Sequence, residues 1–122
     1  MEPNFDAPDF SLQYEKETRG GSLLFVCRGG FSLVNHALLE NIIEEIKAAP
    51  ERSIILDLGG IRFMDSMGIG TLANILKYTT AKRMDFVLVS NDIVDQILGV
   101  ARMTHVMRIV HNLEEAIGKA AP

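Results

Sequence analysis

A chain of 122 residues is long enough to bury one hydrophobic core and too short for two domains with a catalytic cleft between them. Apolar residues make up 48% and charged residues 23%, the balance of an ordinary globular protein, which excludes a disordered or fibrous chain. The net charge of -4, with acids and bases mixed along the sequence, offers no basic surface for nucleic acid or anionic membranes, and no run approaches the roughly 18 apolar residues of a bilayer span.

Residues 1–9 show no periodicity and read as a flexible N-terminal arm, acidic and punctuated by Pro3 and Pro8 where an export signal would be basic and then apolar; the domain occupies 10–122. Phe10, Leu12 and Tyr14 alternate with polar residues as in a half-exposed strand, and Leu23 to Cys27 form a second apolar run. The break at Gly20-Gly21 is so short that these two strands must pair as an antiparallel hairpin. Cys27, the only cysteine, has no disulfide partner and packs as a small hydrophobe, which suits a cytoplasmic protein. From Val34 the period becomes helical, with Leu39, Ile42, Ile43 and Ile46 on one side, until Pro50.

Ser53 to Leu58 is almost continuously apolar, which suits a central strand covered on both faces and ended by Gly59-Gly60. A helix from about Ser66 to Arg83 carries Ile69, Leu72, Ala73 and Leu76 at helical spacing. A strand at Phe86 to Val89, a helix with Ile93, Ile97, Val100 and Ala101 on one face, and a short strand at Met107 to Val110 follow. Asn112 with Glu115 three residues on makes a capping-box-like start for a last helix, whose buried stripe is Leu113, Ala116, Ile117 and Ala120. The order implies an α/β fold. It is a single domain whose mixed β-sheet opens with an antiparallel hairpin, continues through β-α units and has about four helices packed against it.

The chemistry concentrates where the strand at Ile54 feeds a loop that delivers Asp65-Ser66 to a helix start. Backbone N–H groups there lack intrahelical partners and the helix dipole is positive, so a hydroxyl or phosphate on Ser66 finds ready donors. Gly68 and Gly70 leave the first turn open to a partner's backbone. Serine and aspartate at such a place also act as plain N-caps, worth about 1 kcal/mol, and local chemistry leaves both readings open. Asp57 invites a receiver-like reading with a divalent ion, but the acidic cluster such a site needs is missing, and hydrogen bonding to loop amides is the better assignment. His36, His105 and His111 lack metal-ligand spacing, and one cysteine cannot complete a zinc site. Met64 and Gly68 flank Ser66 where a nucleophile elbow needs two glycines, and Gly68-Ile69-Gly70 matches neither a dinucleotide fingerprint nor a Walker loop. No cofactor, no metal and no enzymatic activity are expected; an enzyme using Asp57 and Asp65 for metal-assisted phosphoryl chemistry is the competing class.

The run Leu56-Asp57-Leu58, followed by Phe63-Met64-Asp65-Ser66-Met67-Gly68-Ile69-Gly70, resembles the signature of STAS domains, in which a strand ending in aspartate precedes an Asp-Ser-x-Gly helix start. The likeness covers about residues 10–120, including a Gly29-Gly30 turn before the first helix, Ala101-Arg102-Met103-Thr104, and Glu114-Glu115-Ala116-Ile117. Its bacterial anti-sigma factor antagonists bind, when unphosphorylated, an anti-sigma factor that is also a GHKL-type serine kinase. The resemblance therefore implies phosphorylation at Ser66 and partner contact through Ser32, Asp65, Ser66, Met67, Gly68 and Ile69. Two positions depart from the pattern: Ser32 stands where these antagonists usually carry an aspartate, and Met67 where a small polar residue is common. The alternative within the same fold is a scaffold, or an accessory subunit of a transporter, that binds a different protein.

Overall fold

The computed structural model describes residues 10–120, so the expected arm at 1–9 lies outside the described residues, as does the side chain of Ala120. Strand β1 (Leu12–Arg19) turns at Gly20-Gly21 into β2 (Ser22–Phe31), its antiparallel partner. A single 3₁₀ turn at Leu33–Asn35 leads into helix α1 (His36–Ala48). Then follow β3 (Ser53–Met64), α2 (Ser66–Ala81), β4 (Asp85–Val89), α3 (Asp92–Val100), β5 (Arg108–Val110) and α4 (Leu113–Ala120). The strands lie in chain order, and every pair after the first is parallel. The middle strand is β3, as its fully buried Ile54-Ile55-Leu56 demands.

Strand alternation divides the core into two layers. Phe25, Cys27, Ile54, Leu56 and Leu88 face Leu39, Ile42, Leu72, Ile75 and Leu98 of α1, α2 and α3. Leu24, Ile55, Val87 and Val110 face α4, through Ala116 and Ile117. Helix α4 starts as expected, with the Asn112 Oδ1 accepting the Glu115 amide at 2.7 Å. Cys27 is buried, and burial, helped by the Asp57 charge, pushes its thiol up to about 12.

Two expectations are corrected. Gly29-Gly30 is not a turn and Gly59-Gly60 does not end the central strand: β2 runs on to Phe31 and β3 to Met64, paired from Arg28↔Gly60 to Phe31↔Met64 with register shifts on the way. The chain entering β1 crosses β2 so closely that a Cβ on Gly29 would sit 1.9 Å from the Ser11 carbonyl oxygen, and one on Gly30 2.3 Å from that of Phe10. These glycines mark backbone contact, and Gly29 in addition adopts φ +99°. On α3 the buried stripe is Val94 and Leu98, beside the face that carries Ile93, Ile97, Val100 and Ala101, of which Ile93 and Val100 are 42% and 86% exposed. Both stripes have helical spacing, and the Asn91 cap selects between them. Its Oδ1 accepts the Val94 amide at 2.8 Å, while its Nδ2 donates to the carbonyls of Ile61 (2.7 Å) and Gly59 (3.1 Å), which locks the helix rotation against β3.

The β1 edge is tied to α1 by polar contacts. The Tyr14 hydroxyl donates to Glu45 at 2.7 Å, and the Lys16 ammonium lies 2.6 Å from the same carboxylate. Lys16 first, and then Tyr14, hold the Glu45 carboxyl below its ordinary value, while burial and the Glu45 carboxylate push Tyr14 up to about 12.

Two outcomes are expected. In urea denaturation, Gly29→Ala loses roughly 2–4 kcal/mol through the left-handed backbone and the Ser11 clash, whereas Gly99→Ala, in helix α3 with open space around its Cβ, gains up to about 1 kcal/mol. Because the folded-state pKa of Glu45 is depressed, its contribution is present above the ordinary value of 4.5 and lost as pH falls below it. Thermal melts between neutral pH and pH 3 will therefore show a smaller acid-induced drop in Tm for Glu45→Gln than for the parent chain.

Candidate functional site

The C-terminal end of β3 passes into α2 through Asp65, whose extended backbone (φ -118°, ψ -169°) makes it the N-cap. Its Oδ1 accepts the amides of Met67 (3.0 Å) and Gly68 (3.2 Å), and its Oδ2 accepts the amide of Leu33 at 3.0 Å. One carboxylate thus closes the helix and fastens the β2–α1 loop beside it. Packing holds the same helix turn from below, where a Cβ on Gly68 would lie 2.1 Å from the Phe31 carbonyl oxygen and 2.8 Å from the Met64 side chain. Gly68 is buried, and its smallness serves this internal contact, whereas Gly70 is the glycine that leaves the surface open.

Ser66 is the first residue of α2 and is exposed. Among the described residues its hydroxyl makes no hydrogen bond, because capping is carried out by Asp65. The two local readings of the Asp-Ser pair therefore fall on different residues: aspartate caps and serine is left accessible. Of the other sequence-derived candidates, Met67 is 38% exposed and Ile69 is half-buried. Ser32 is 1% exposed with its Oγ unpaired, so its side chain lies beneath the surface that its loop presents.

The loop shows instead Leu33 and, at 74% exposure, Val34, which sequence reasoning missed. A consecutive apolar pair at a helix entry, where polar caps are the rule, was the available signal. Phe63 is also exposed, its ring tilted at 50° to that of Phe10 with the centroids 4.7 Å apart. Beside Ser66 lies a groove of about 320 Å³ lined by Leu33, Asp65, Met67, Gly70 and Asn74. Ile69 continues the apolar surface into a second groove, of about 400 Å³, with Ile97, Val100 and Ala101 at the C-terminal end of α3.

Asp57 accepts the Gly59 amide at 2.8 Å within the bulged strand. His111 pairs with Asp95 at 2.8 Å, and Asp95 also accepts the Ser90 hydroxyl at 2.7 Å, which joins the ends of β4, α3 and β5. Among the described residues no cluster of three or more His, Cys, Asp or Glu side chains is placed to hold a metal ion. No described helix is long and apolar enough to cross a membrane.

A sequence profile of the STAS domain matches residues 13–117. An anti-sigma factor antagonist from Mycobacterium paratuberculosis has a similar structure, with a TM-score of 0.80 at 20% identity, over 95% of this chain and 98% of that one. The unphosphorylated form of the anti-sigma factor antagonist SpoIIAA gives a TM-score of 0.71 at 20% identity, over 88% and 95%. The phosphorylated form of SpoIIAA, a Bacillus cell fate determinant, gives 0.67 at 17%, over 88% and 98%. At these identities the likeness is one of fold.

The division of labour between the two residues is measurable by chemical denaturation. Asp65→Ala, which strips a cap and orphans the Leu33 amide, is expected to lose roughly 2–3 kcal/mol, and Ser66→Ala to stay within about 0.5 kcal/mol of the parent.

Proposed function

The chain belongs to the STAS domain family, and on that premise we propose that it is an anti-sigma factor antagonist, released from a serine-kinase anti-sigma factor by phosphorylation at Ser66. The observation that carries this reading is the Ser66 hydroxyl itself, exposed at the start of α2 with no internal hydrogen bond. A kinase reaches it without unfolding anything, and its modification breaks no contact of the fold.

The surrounding surface explains why modification would act as a switch. Leu33, Val34 and Met67 are exposed and Ile69 half-exposed around Ser66, an apolar rim suited to a protein partner and costly to leave in water. Phosphorylation places about -1.5 to -2 charges in that rim, next to Asp65. The Asp65 carboxylate already occupies the amides of Met67, Gly68 and Leu33, so the phosphate meets like charge, and a partner that covered the rim would have to desolvate both. In this reading Asp65, Ser66, Met67 and Ile69 form the contact surface with Leu33 and Val34, while Ser32 and Gly68 shape it from beneath. The protein acts by binding, without a cofactor and without catalysis, in the cytoplasm with a GHKL-type kinase as partner.

The test is affinity capture from the native cell lysate with the parent chain, Ser66→Ala and Ser66→Asp, followed by mass spectrometry of partners and of the Ser66 peptide. The parent and Ser66→Ala are expected to retain an ATP-binding anti-sigma protein that Ser66→Asp releases, with affinity lower by tenfold or more, about 1.4 kcal/mol. Equal retention of one partner by all three would overturn the switch and leave a constitutive scaffold or accessory subunit.

A further inference from the structure

Helix α4 covers Leu24, Ile55, Val87 and Val110, and toward the C-terminal ends of β2 and β3 the same face of the sheet, among the described residues, carries an open groove. Alternation puts Arg28 on this face, two residues beyond Val26, and its ladder partners are Gln13 of β1 and Gly60 of β3. Together with Ser11, Gly29 and Arg62 these residues line a groove of about 360 Å³. Its lining holds two guanidinium groups and no carboxylate, in a chain whose net charge is -4. Among the described residues the lysine and arginine ion pairs are Lys16–Glu45 and Arg19–Glu17, and neither Arg28 nor Arg62 takes part in one.

The groove is shaped as well as charged. The Arg28 Nε donates to the Gln13 Oε1 at 3.0 Å, which orients the guanidinium and leaves its Nη groups for another acceptor. A Cβ on Gly60 would lie 2.9 Å from the Cβ of Arg28, so glycine there keeps the floor at backbone level between the two arginines. Two guanidinium forks lining one groove over a floor at backbone level match the several oxygens of a phosphate, and the volume falls in the range of small-ligand sites.

We propose that this groove, on the face of the sheet opposite α2, binds a small phosphate-bearing ligand between Arg28 and Arg62. The site is separate from Ser66 and stands whether or not Ser66 is a switch.

Inorganic pyrophosphate is the probe, titrated at constant ionic strength into the full-length ¹⁵N-labelled chain while the Gly29 and Gly60 amides are followed by NMR. The expected result is a saturating shift of both amides, with the Kd raised about tenfold or more by Arg28→Gln and by Arg62→Gln. Both arginines are exposed, so these variants remain folded, which the rest of the spectrum verifies. A shift that never saturates, or one that saturates equally in both variants, overturns the site.

Discussion

Three backbone amides from two separate segments converge on the Asp65 carboxylate, and the geometry of the α2 entrance depends on that convergence. Two of the amides, from Met67 and Gly68, are the orphan donors that any helix start leaves unpaired. The third, from Leu33, belongs to a loop 32 residues earlier, so a local capping device also sets a long-range distance. Without it, the apolar Leu33-Val34 pair and the serine would have no reason to share one surface.

That convergence is possible because the backbones beneath it touch. Gly29 and Gly30 let the chain entering β1 lie against β2, and Gly68 lets the first turn of α2 rest on the Phe31 carbonyl. The lengthened ends of β2 and β3, paired as far as Phe31 and Met64, bring both segments to the same edge of the sheet. Larger side chains at these glycines would push α2 and the loop apart before any surface residue changed.

The site and the core consequently place different demands on neighbouring residues. Leu72 and Ile75 anchor α2 to the α1–α3 layer, while Ser66 and Met67, in the first turn of the helix, remain outside it. Among the described residues the fold makes no use of the Ser66 hydroxyl, which stands outside both the cap and the core. The opposite face of the sheet, partly covered by α4, is free to hold a second and independent constellation around Arg28 and Arg62.

Element order, the central place of β3, the helix start at Asp65-Ser66 and the cap at Asn112 were legible from the sequence, because periodicity and capping depend on residues a few positions apart. The glycine pairs were misread as breaks because a glycine looks the same at a turn and at a close crossing; only the distance to Ser11 and Phe10 separates the two. The inward stripe of α3 was equally ambiguous, since Ile93 and Ile97 share the spacing of Val94 and Leu98 and the choice rests on the hydrogen bonds of Asn91 to β3. The resemblance to STAS domains placed Ser32 at the partner surface, and tertiary packing turned its side chain inward and its neighbours Leu33 and Val34 out. Local contacts are written in local sequence, whereas which face meets the core and which residues meet across the sheet are decided when distant segments pack.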